Sequence, residues 1–287
     1  MNEPQGTSSD TPPIGCAELD RFGAHLRANG VEFTIDEQLQ RDPDQGGHAE
    51  AERLANGIFS VPGLPQILEH RVDGIRSDHA TWSVAADLVR HRLVAPGSRF
   101  WDIGTGSGVL ALAAHALGAG EIIATDVSGE AIATAQRNFR DAGAEITLYT
   151  GSLLDAVPPT VAPPDLLVAN LPHKPCRPGD DLTLAENGGE HGDALIAPFF
   201  EQAAARVTPG TRLVFFQHSL PHPRNLSRLS VHFDLRLLSW KRRFLGPGEY
   251  GEMPAWFAER TARGESYLAE IDGARFLIGC VWIATRR

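Results

Sequence analysis

The sequence predicts a three-layer α/β fold built on a mostly parallel sheet with helices on both faces. Three observations carry this. From about residue 98, short apolar runs alternate with amphipathic helical runs. Glycines close the helical runs, and the first strand opens directly into a glycine-rich turn. Alternation with helices of this length needs crossover connections, and these make neighbouring strands parallel.

The elements follow in order. Leu19, Phe22 and Leu26 stand at helical spacing within 17–29, and Gly30 is a suitable stop. Residues 41–48 (RDPDQGGH) read as a loop and 49–56 as a short helix. VPGLP at 61–65 punctuates the chain before a helix over about 79–93. SRFWDI (98–103) predicts a strand, SGVLALAAHALG (107–118) a helix, and EIIATD (121–126) a second strand. The next helix, 128–143, has Ser128 as N-cap and Gly143 as stop. EITLYT (145–150) and DLLVAN (165–170) are strands, 192–207 a helix, and TRLVFFQ (211–217) a strand. A helix near 223–231 leads to a long strand, 233–244, an excursion over 245–268, and a last strand over about 274–285. Two strands without a crossover helix between them pair antiparallel. Residues 1–13 read as a disordered tail, 14–75 as a small N-terminal cap, and 76–287 as the main domain.

Composition narrows the function. Hydrophobic residues make up 42% of the 287, enough for a substantial core. No apolar run reaches the roughly 18 residues that a membrane helix needs. The N-terminus lacks the basic-then-apolar order of an export signal, so the expectation is a cytoplasmic protein without a membrane partner. Cys16, Cys176 and Cys280 lie far apart, so no metal site is expected. The net charge of −10 disfavours a phosphate backbone, and the single basic cluster, Lys241-Arg242-Arg243, is short. No nucleic-acid partner is therefore expected. Oligomeric state is not legible.

Asp102-Ile103-Gly104-Thr105-Gly106-Ser107-Gly108 lies between the first strand and first helix of the parallel unit. Glycines there let backbone approach a ligand, and ligands of such sheets lie outside the carboxyl ends of the strands. The spacing is G-x-G-x-G rather than the G-x-G-x-x-G of a dinucleotide site. The preceding Asp102 suits an ammonium and a sulfonium better than a pyrophosphate. Asp126 ends the next strand, where an acid can bind both ribose hydroxyls.

This combination resembles the class I S-adenosylmethionine-dependent methyltransferases, over roughly residues 76–287. The resemblance implies a Rossmann-like sheet of seven strands in the order 3-2-1-4-5-7-6, the last antiparallel. It implies that Asp102, Gly104, Thr105, Gly106 and Gly108 cradle the methionine part, and that Asp126 with Val127 meets the ribose. Ser152 and Leu153, after the third strand, then flank the adenine. Many relatives carry an acid at the Ser152 position, so that contact is weaker here or moves to Asp155.

The fourth strand ends in Asn170-Leu171-Pro172-His173, which resembles the N-P-P-Y signature of methyltransferases acting on amide or exocyclic nitrogens. The resemblance makes Asn170, Pro172 and His173 the catalytic candidates, with Asn170 also bordering the cofactor. Leu171 in place of Pro loosens the loop. His173 keeps a flat ring and adds a nitrogen that could take the proton. The segment Glu186-Asn187-Gly188-Gly189-Glu190-His191-Gly192 is similar to the loop of the release-factor glutamine-amide methyltransferases, the HemK/PrmC group. Glu186 and Glu190 are candidates to bind a cationic acceptor such as a guanidinium. His79 and His218 are candidates to face the substrate. The resulting expectation is an N-methyltransferase for an amide, guanidine or amine. The cap matches no protein-gripping domain, so the acceptor is expected to be a small polar molecule such as an amino-acid derivative, with a protein glutamine as the alternative. An O-methyltransferase and a non-catalytic binding scaffold remain as rivals.

Overall fold

The computed structural model describes residues 14–41, 53–54, 58–70, 78–180, 182–244, 253–271 and 273–287. The expected tail over 1–13 and most of the loop over 41–48 lie outside the described residues. Seven strands form the body of the sheet: β5 (Arg99–Ile103), β6 (Glu121–Asp126), β7 (Thr147–Thr150), β8 (Leu166–Ala169), β9 (Arg212–His218), β10 (Phe233–Phe244) and β12 (Ala274–Arg286). Their spatial order is β7-β6-β5-β8-β9-β12-β10, the order expected, with β12 antiparallel to both neighbours. Two additions were not foreseen. β1 (Thr34–Ile35) pairs parallel with the outer edge of β10, and β11 (Ala269–Ile271) pairs antiparallel with β12.

Alternation along the strands divides the interior in two. Trp101, Ile103, Leu167, Phe215 and Trp282 face α1 (Ile14–Ala28), α6 (Ile196–Arg206) and α7 (Arg224–Leu229). Phe100, Val168, Val214 and Phe216 face α3 (His79–Arg90), α4 (Val109–Ala116) and α5 (Gly129–Asp141). This is the period-two pattern of a strand buried on both faces. Leu19, Phe22 and Leu26 of α1 join the first cluster, as does Leu39 of α2 (Glu37–Arg41), so this N-terminal stretch shares the core of the sheet. A helix α8 (Met253–Ala262) occupies the late excursion.

Of the short helix expected over 49–56, only residues 53 and 54 lie among the described residues, and there it is corrected: Arg53–Leu54 is a strand, β2, paired antiparallel with β3 (Ile58–Phe59), which pairs in turn with β4 (Ile67–Leu68). Local helix propensity is a weak prior, and the pairing with β3 overrides it at these two residues. Among the described residues, no helix is long and apolar enough to cross a membrane.

The glycine turn joins β5 to α4, and its last residue does structural work. Gly108 is the N-cap of α4 at φ 86°, where it can offer no side-chain cap. A Cβ there would stand 2.4 Å from the Phe139 ring of α5, so the two helices meet only because the position is bare. Gly108→Ala is expected to destabilise the protein by about 2–4 kcal/mol, from the left-handed backbone and the overpacking together. Urea unfolding checks this. Adding Phe139→Leu should return only the packing share.

Candidate functional site: two acids, a glycine turn and an asparagine

Asp102 is 1% exposed at the end of β5. Its Oδ2 accepts from the Thr105 hydroxyl at 2.6 Å and from the Ala111 N–H at 3.2 Å. The strand carboxylate thus caps the helix whose own N-cap is glycine. Its Oδ1 is buried with no hydrogen-bond partner. Burial pushes this carboxyl up to about 7, against the pull of the Thr105 and Ala111 bonds, and nearby Asp126 adds to the rise. A buried carboxylate oxygen without a donor is costly, and a cationic ligand group would relieve it.

The turn is held by backbone and acid together. Gly104 N and Thr105 N both donate to Thr125 O, and Gly108 N donates to Thr105 O. Gly106 N donates to Asp126 Oδ2 at 2.9 Å, and Ser128 N to Asp126 Oδ1 at 2.9 Å. Asp126 is half-buried, so its remaining lone pairs face outward. Beside it Val127 is 59% exposed, an unusual position for a large apolar side chain at a strand tip. Gly151 N donates to Asp126 O, Ser152 is exposed, and buried Leu153 holds a left-handed φ of 50°. Asp155 accepts from Gln202 at 2.9 Å, which engages one of its oxygens within the protein. Val127, Ser152 and Leu153 therefore border the same strand ends as Asp126, an apolar flank beside a carboxylate. An adenosyl sulfonium with an amino-acid tail fits these groups: an orphaned anion for its ammonium, an acid for its diol and an apolar edge for its base.

Asn170 follows β8 on the other side of β5. Its amide Nδ2 donates to Thr81 Oγ1 at 3.0 Å and to Asp78 Oδ1 at 3.4 Å. Asp78 is the N-cap of α3 and also takes the Thr81 N–H and hydroxyl. With the NH₂ end tied to the helix start, the Asn170 carbonyl oxygen is the end turned away from that tether. Leu171 does not loosen the loop. It is 4% exposed and packs on Gly104, where a Cβ would come within 2.5 Å of its Cδ2. The acceptor loop and the glycine turn therefore touch directly. Pro172, next along the loop, is half-buried.

His173 requires a correction. It was expected to stack on the acceptor or take its proton, yet it is 7% exposed with both ring nitrogens engaged. Nδ1 lies 2.6 Å from Leu171 O, which can only accept, so Nδ1 carries the hydrogen. Nε2 accepts from the His218 N–H at 3.2 Å. Burial lowers His173 to about 4, partly offset by the Leu171 bond. Its role is to hold the loop. His218 is half-buried, its ring meets that of His173 at a tilt with 4.3 Å between centroids, and its Nδ1 accepts from Leu220 N. His79 is half-buried, edge-on to Phe216 at 5.7 Å. Burial lowers both of these imidazoles as well, with neighbouring His173 adding to the fall at His218. The structure brings His79, His173 and His218 together around Phe216.

The glycine-acid segment forms a strap over this loop. Gly188 N donates to Lys174 O, and Cys176 N to Gly189 O. A Cβ on Gly188 would stand 2.6 Å from His173 C, and one on Gly192 2.6 Å from His173 O. The glycines serve close backbone approach. Glu186 and Glu190 are both exposed, and Glu186 caps its own turn by accepting from Thr183 N and Oγ1. Sequence reasoning missed Thr81 as the group orienting Asn170. It also missed buried Glu69, which accepts from the Ser107 hydroxyl at 2.7 Å. No local signal marks either, because each bond spans at least 38 residues.

With this geometry in view, known proteins fall into line. Residues 77–176 match the family described as ribosomal protein L11 methyltransferase (PrmA). A release factor glutamine methyltransferase of Deinococcus radiodurans is 33% identical over 152 residues, 50% of this chain and 51% of that protein. A ribosomal protein L11 methyltransferase of Symbiobacterium thermophilum is 44% identical over 93 residues, 32% of this chain and 29% of that one. The chain thus spans about half the length of the first relative and less of the second. A solved Thermus thermophilus 16S rRNA N2 G1207 methyltransferase, in complex with AdoMet and guanosine, shares the fold at a TM-score of 0.51. It is 17% identical and the match covers 79% of this chain and 52% of that one.

Fold and matches together make this chain similar to the class I S-adenosylmethionine-dependent methyltransferases, among them the release-factor glutamine enzymes, with the family match confined to residues 77–176. They also overturn one expectation. The named relatives act on a release factor and a ribosomal protein, and the fold neighbour on rRNA. A small-molecule acceptor and the absence of nucleic-acid partners, both inferred from an unmatched cap and a negative charge, do not stand. Net charge describes the whole surface and not the acceptor mouth.

The His173 assignment is directly testable. Nitrogen-detected NMR is expected to show His173 as the Nδ1–H tautomer, staying neutral through pH 5 and titrating near 4. Its folded value lies below the ordinary 6.5, so the unfolded chain takes the proton first and stability is lost as pH falls from about 6.5 towards 4. A ring that titrates near 6.5 would contradict the buried tether.

Proposed function

We propose that this chain is an S-adenosylmethionine-dependent methyltransferase that methylates a side-chain nitrogen of a protein, an amide or comparable planar NH group. One observation carries the reading. Asn170 is held by its NH₂ end at the start of α3, directly after β8, the strand that pairs with the Asp102 strand β5, so its carbonyl oxygen is the end turned away from that tether. The protein-directed relatives support a polypeptide acceptor, and the cytoplasm is where such an acceptor would be met. Rossmann-like architecture alone would not, since one fold hosts many chemistries.

Under this reading Asp102 Oδ1 takes the cofactor's ammonium. Asp126 takes the ribose hydroxyls, and Val127 and Leu153 enclose the base. When bound, S-adenosylmethionine supplies a methyl group on an electrophilic sulfonium. The chain's own task is then orientation. An amide nitrogen has its lone pair delocalised into the carbonyl and attacks poorly. Asn170 Oδ1 and a backbone carbonyl of the same loop accept the two N–H bonds and turn the lone pair towards the methyl. Orientation of this kind is worth up to about 7–11 kcal/mol of barrier in ideal cases. As the nitrogen–methyl bond forms and the sulfur–methyl bond breaks to leave a thioether, one N–H proton is lost to solvent; His173 keeps Leu171 in place and does not take it, because its Nε2 is already an acceptor for the His218 N–H.

Two outcomes follow. Asn170→Ala is expected to bind S-adenosylhomocysteine within about threefold of wild type while methyl transfer falls about a hundredfold or more. Tritiated methyl incorporation into lysate macromolecules measures it. Label released by protease supports a protein acceptor; label released only by ribonuclease overturns it. Cofactor binding should also expel a proton, because Asp102 is largely protonated below about 7 and an ammonium stabilises its carboxylate. Calorimetry at pH 6.5 in buffers of different ionisation heat should show the release, with affinity rising towards pH 7 and levelling above it.

A further inference from the structure

The glycine turn is clamped from outside by two side chains that no sequence motif indicates. Gly104, Gly106 and Gly108 all sit at positive φ, so the turn has wide backbone freedom of its own. Most of its N–H groups are tied by β6 and by Thr105. The Ser107 carbonyl is tied differently: it accepts from Asn138 Nδ2 at 2.7 Å. Asn138 lies on α5 and is fully buried. The same amide accepts the His70 N–H at 2.8 Å and donates to the His70 carbonyl at 3.2 Å. Glu69, 3% exposed, accepts the Ser107 hydroxyl at 2.7 Å. The His70 ring meets Asp141 at 2.6 Å, one turn further along α5. The stretch following β4, the helix α5 and the glycine turn are therefore stitched together at Ser107.

We infer that Glu69 and Asn138 are positioning residues that fix the glycine turn in the shape that grips the amino-acid end of the cofactor. This rests on the reading of the turn as an S-adenosylmethionine site. The physical reason is preorganisation. Glycine removes the steric limits that would define the peptide planes on each side of Ser107, so hydrogen bonds from elsewhere must supply them. Asn138 sets the Ser107–Gly108 peptide, and Glu69 sets the Ser107 side chain. Asp102, whose orphaned oxygen would meet the ammonium, lies under the same turn through Thr105. The bonds that clamp the turn, Glu69 to the Ser107 hydroxyl and Asn138 to the Ser107 carbonyl, both act at Ser107, so their effect falls on the turn and the end of the ligand it grips.

That asymmetry defines the test. Calorimetry on the full chain compares S-adenosylhomocysteine with 5′-methylthioadenosine, which keeps the adenosine and thioether and lacks the amino-acid end. Wild type should bind the first more tightly; binding of neither sinks the cofactor reading itself rather than the clamp. For Asn138→Ala, affinity for S-adenosylhomocysteine should fall at least tenfold while that for methylthioadenosine stays within threefold. Equal losses for both ligands would mark a merely structural residue and overturn the inference, as would no loss for either. Glu69→Ala should weaken S-adenosylhomocysteine about fivefold. Glu69→Gln, which keeps an acceptor for the Ser107 hydroxyl, should restore it. Should Asn138→Ala fail to fold, the Glu69 pair and Ser107→Ala carry the same comparison, with failure of the glutamine rescue counting against it.

Discussion

A buried carboxylate organises this protein. Asp102 stands at the end of β5 with one oxygen spent on Thr105 and the first turn of α4, and the other, among the described residues, on nothing. The first oxygen supplies what Gly108 cannot, an acceptor for the orphan N–H groups of a helix start. The second is kept out of water with its charge unmatched, at a cost in stability. Proteins keep such costs where the group has work to do. The glycine turn and the start of α4 both take their places from this side chain at the end of β5.

The acceptor side is tied to it by contact rather than by charge. Leu171 rests on Gly104, so the loop after β8 cannot move without the glycine turn. His173 anchors that loop from below by bridging Leu171 and the backbone of β9. The strap then closes on His173 through two bare glycines. The result is an asparagine whose amide direction is set by the start of α3, within a frame that has few independent parts. Rigid support of this kind is what a reaction limited by orientation requires.

The N-terminal part shares this logic. α1 and β1 extend the core and the sheet, while the stretch after β4 reaches the glycine turn. Relatives that match the central region are covered only over about half their length or less, so the regions that choose their acceptors need not correspond.

Local features were legible in the sequence. The alternation of strands and helices and the glycine turn after β5 could be read because strand ends and turns write their requirements in adjacent residues, whereas the strand order came from the resemblance to the class I methyltransferases. What the chain does with them depended on partners far away. His173 looked like a base because its neighbours in sequence say nothing of the His218 N–H, 45 residues on. Leu171 looked like a loosened proline until Gly104 was found beneath it. Glu69 and Asn138 carried no signal, since a buried acid and a buried amide are recognisable only from what they meet. Sequence fixes backbone preferences over a few residues; tertiary packing decides which polar atoms are satisfied, and so which remain for chemistry.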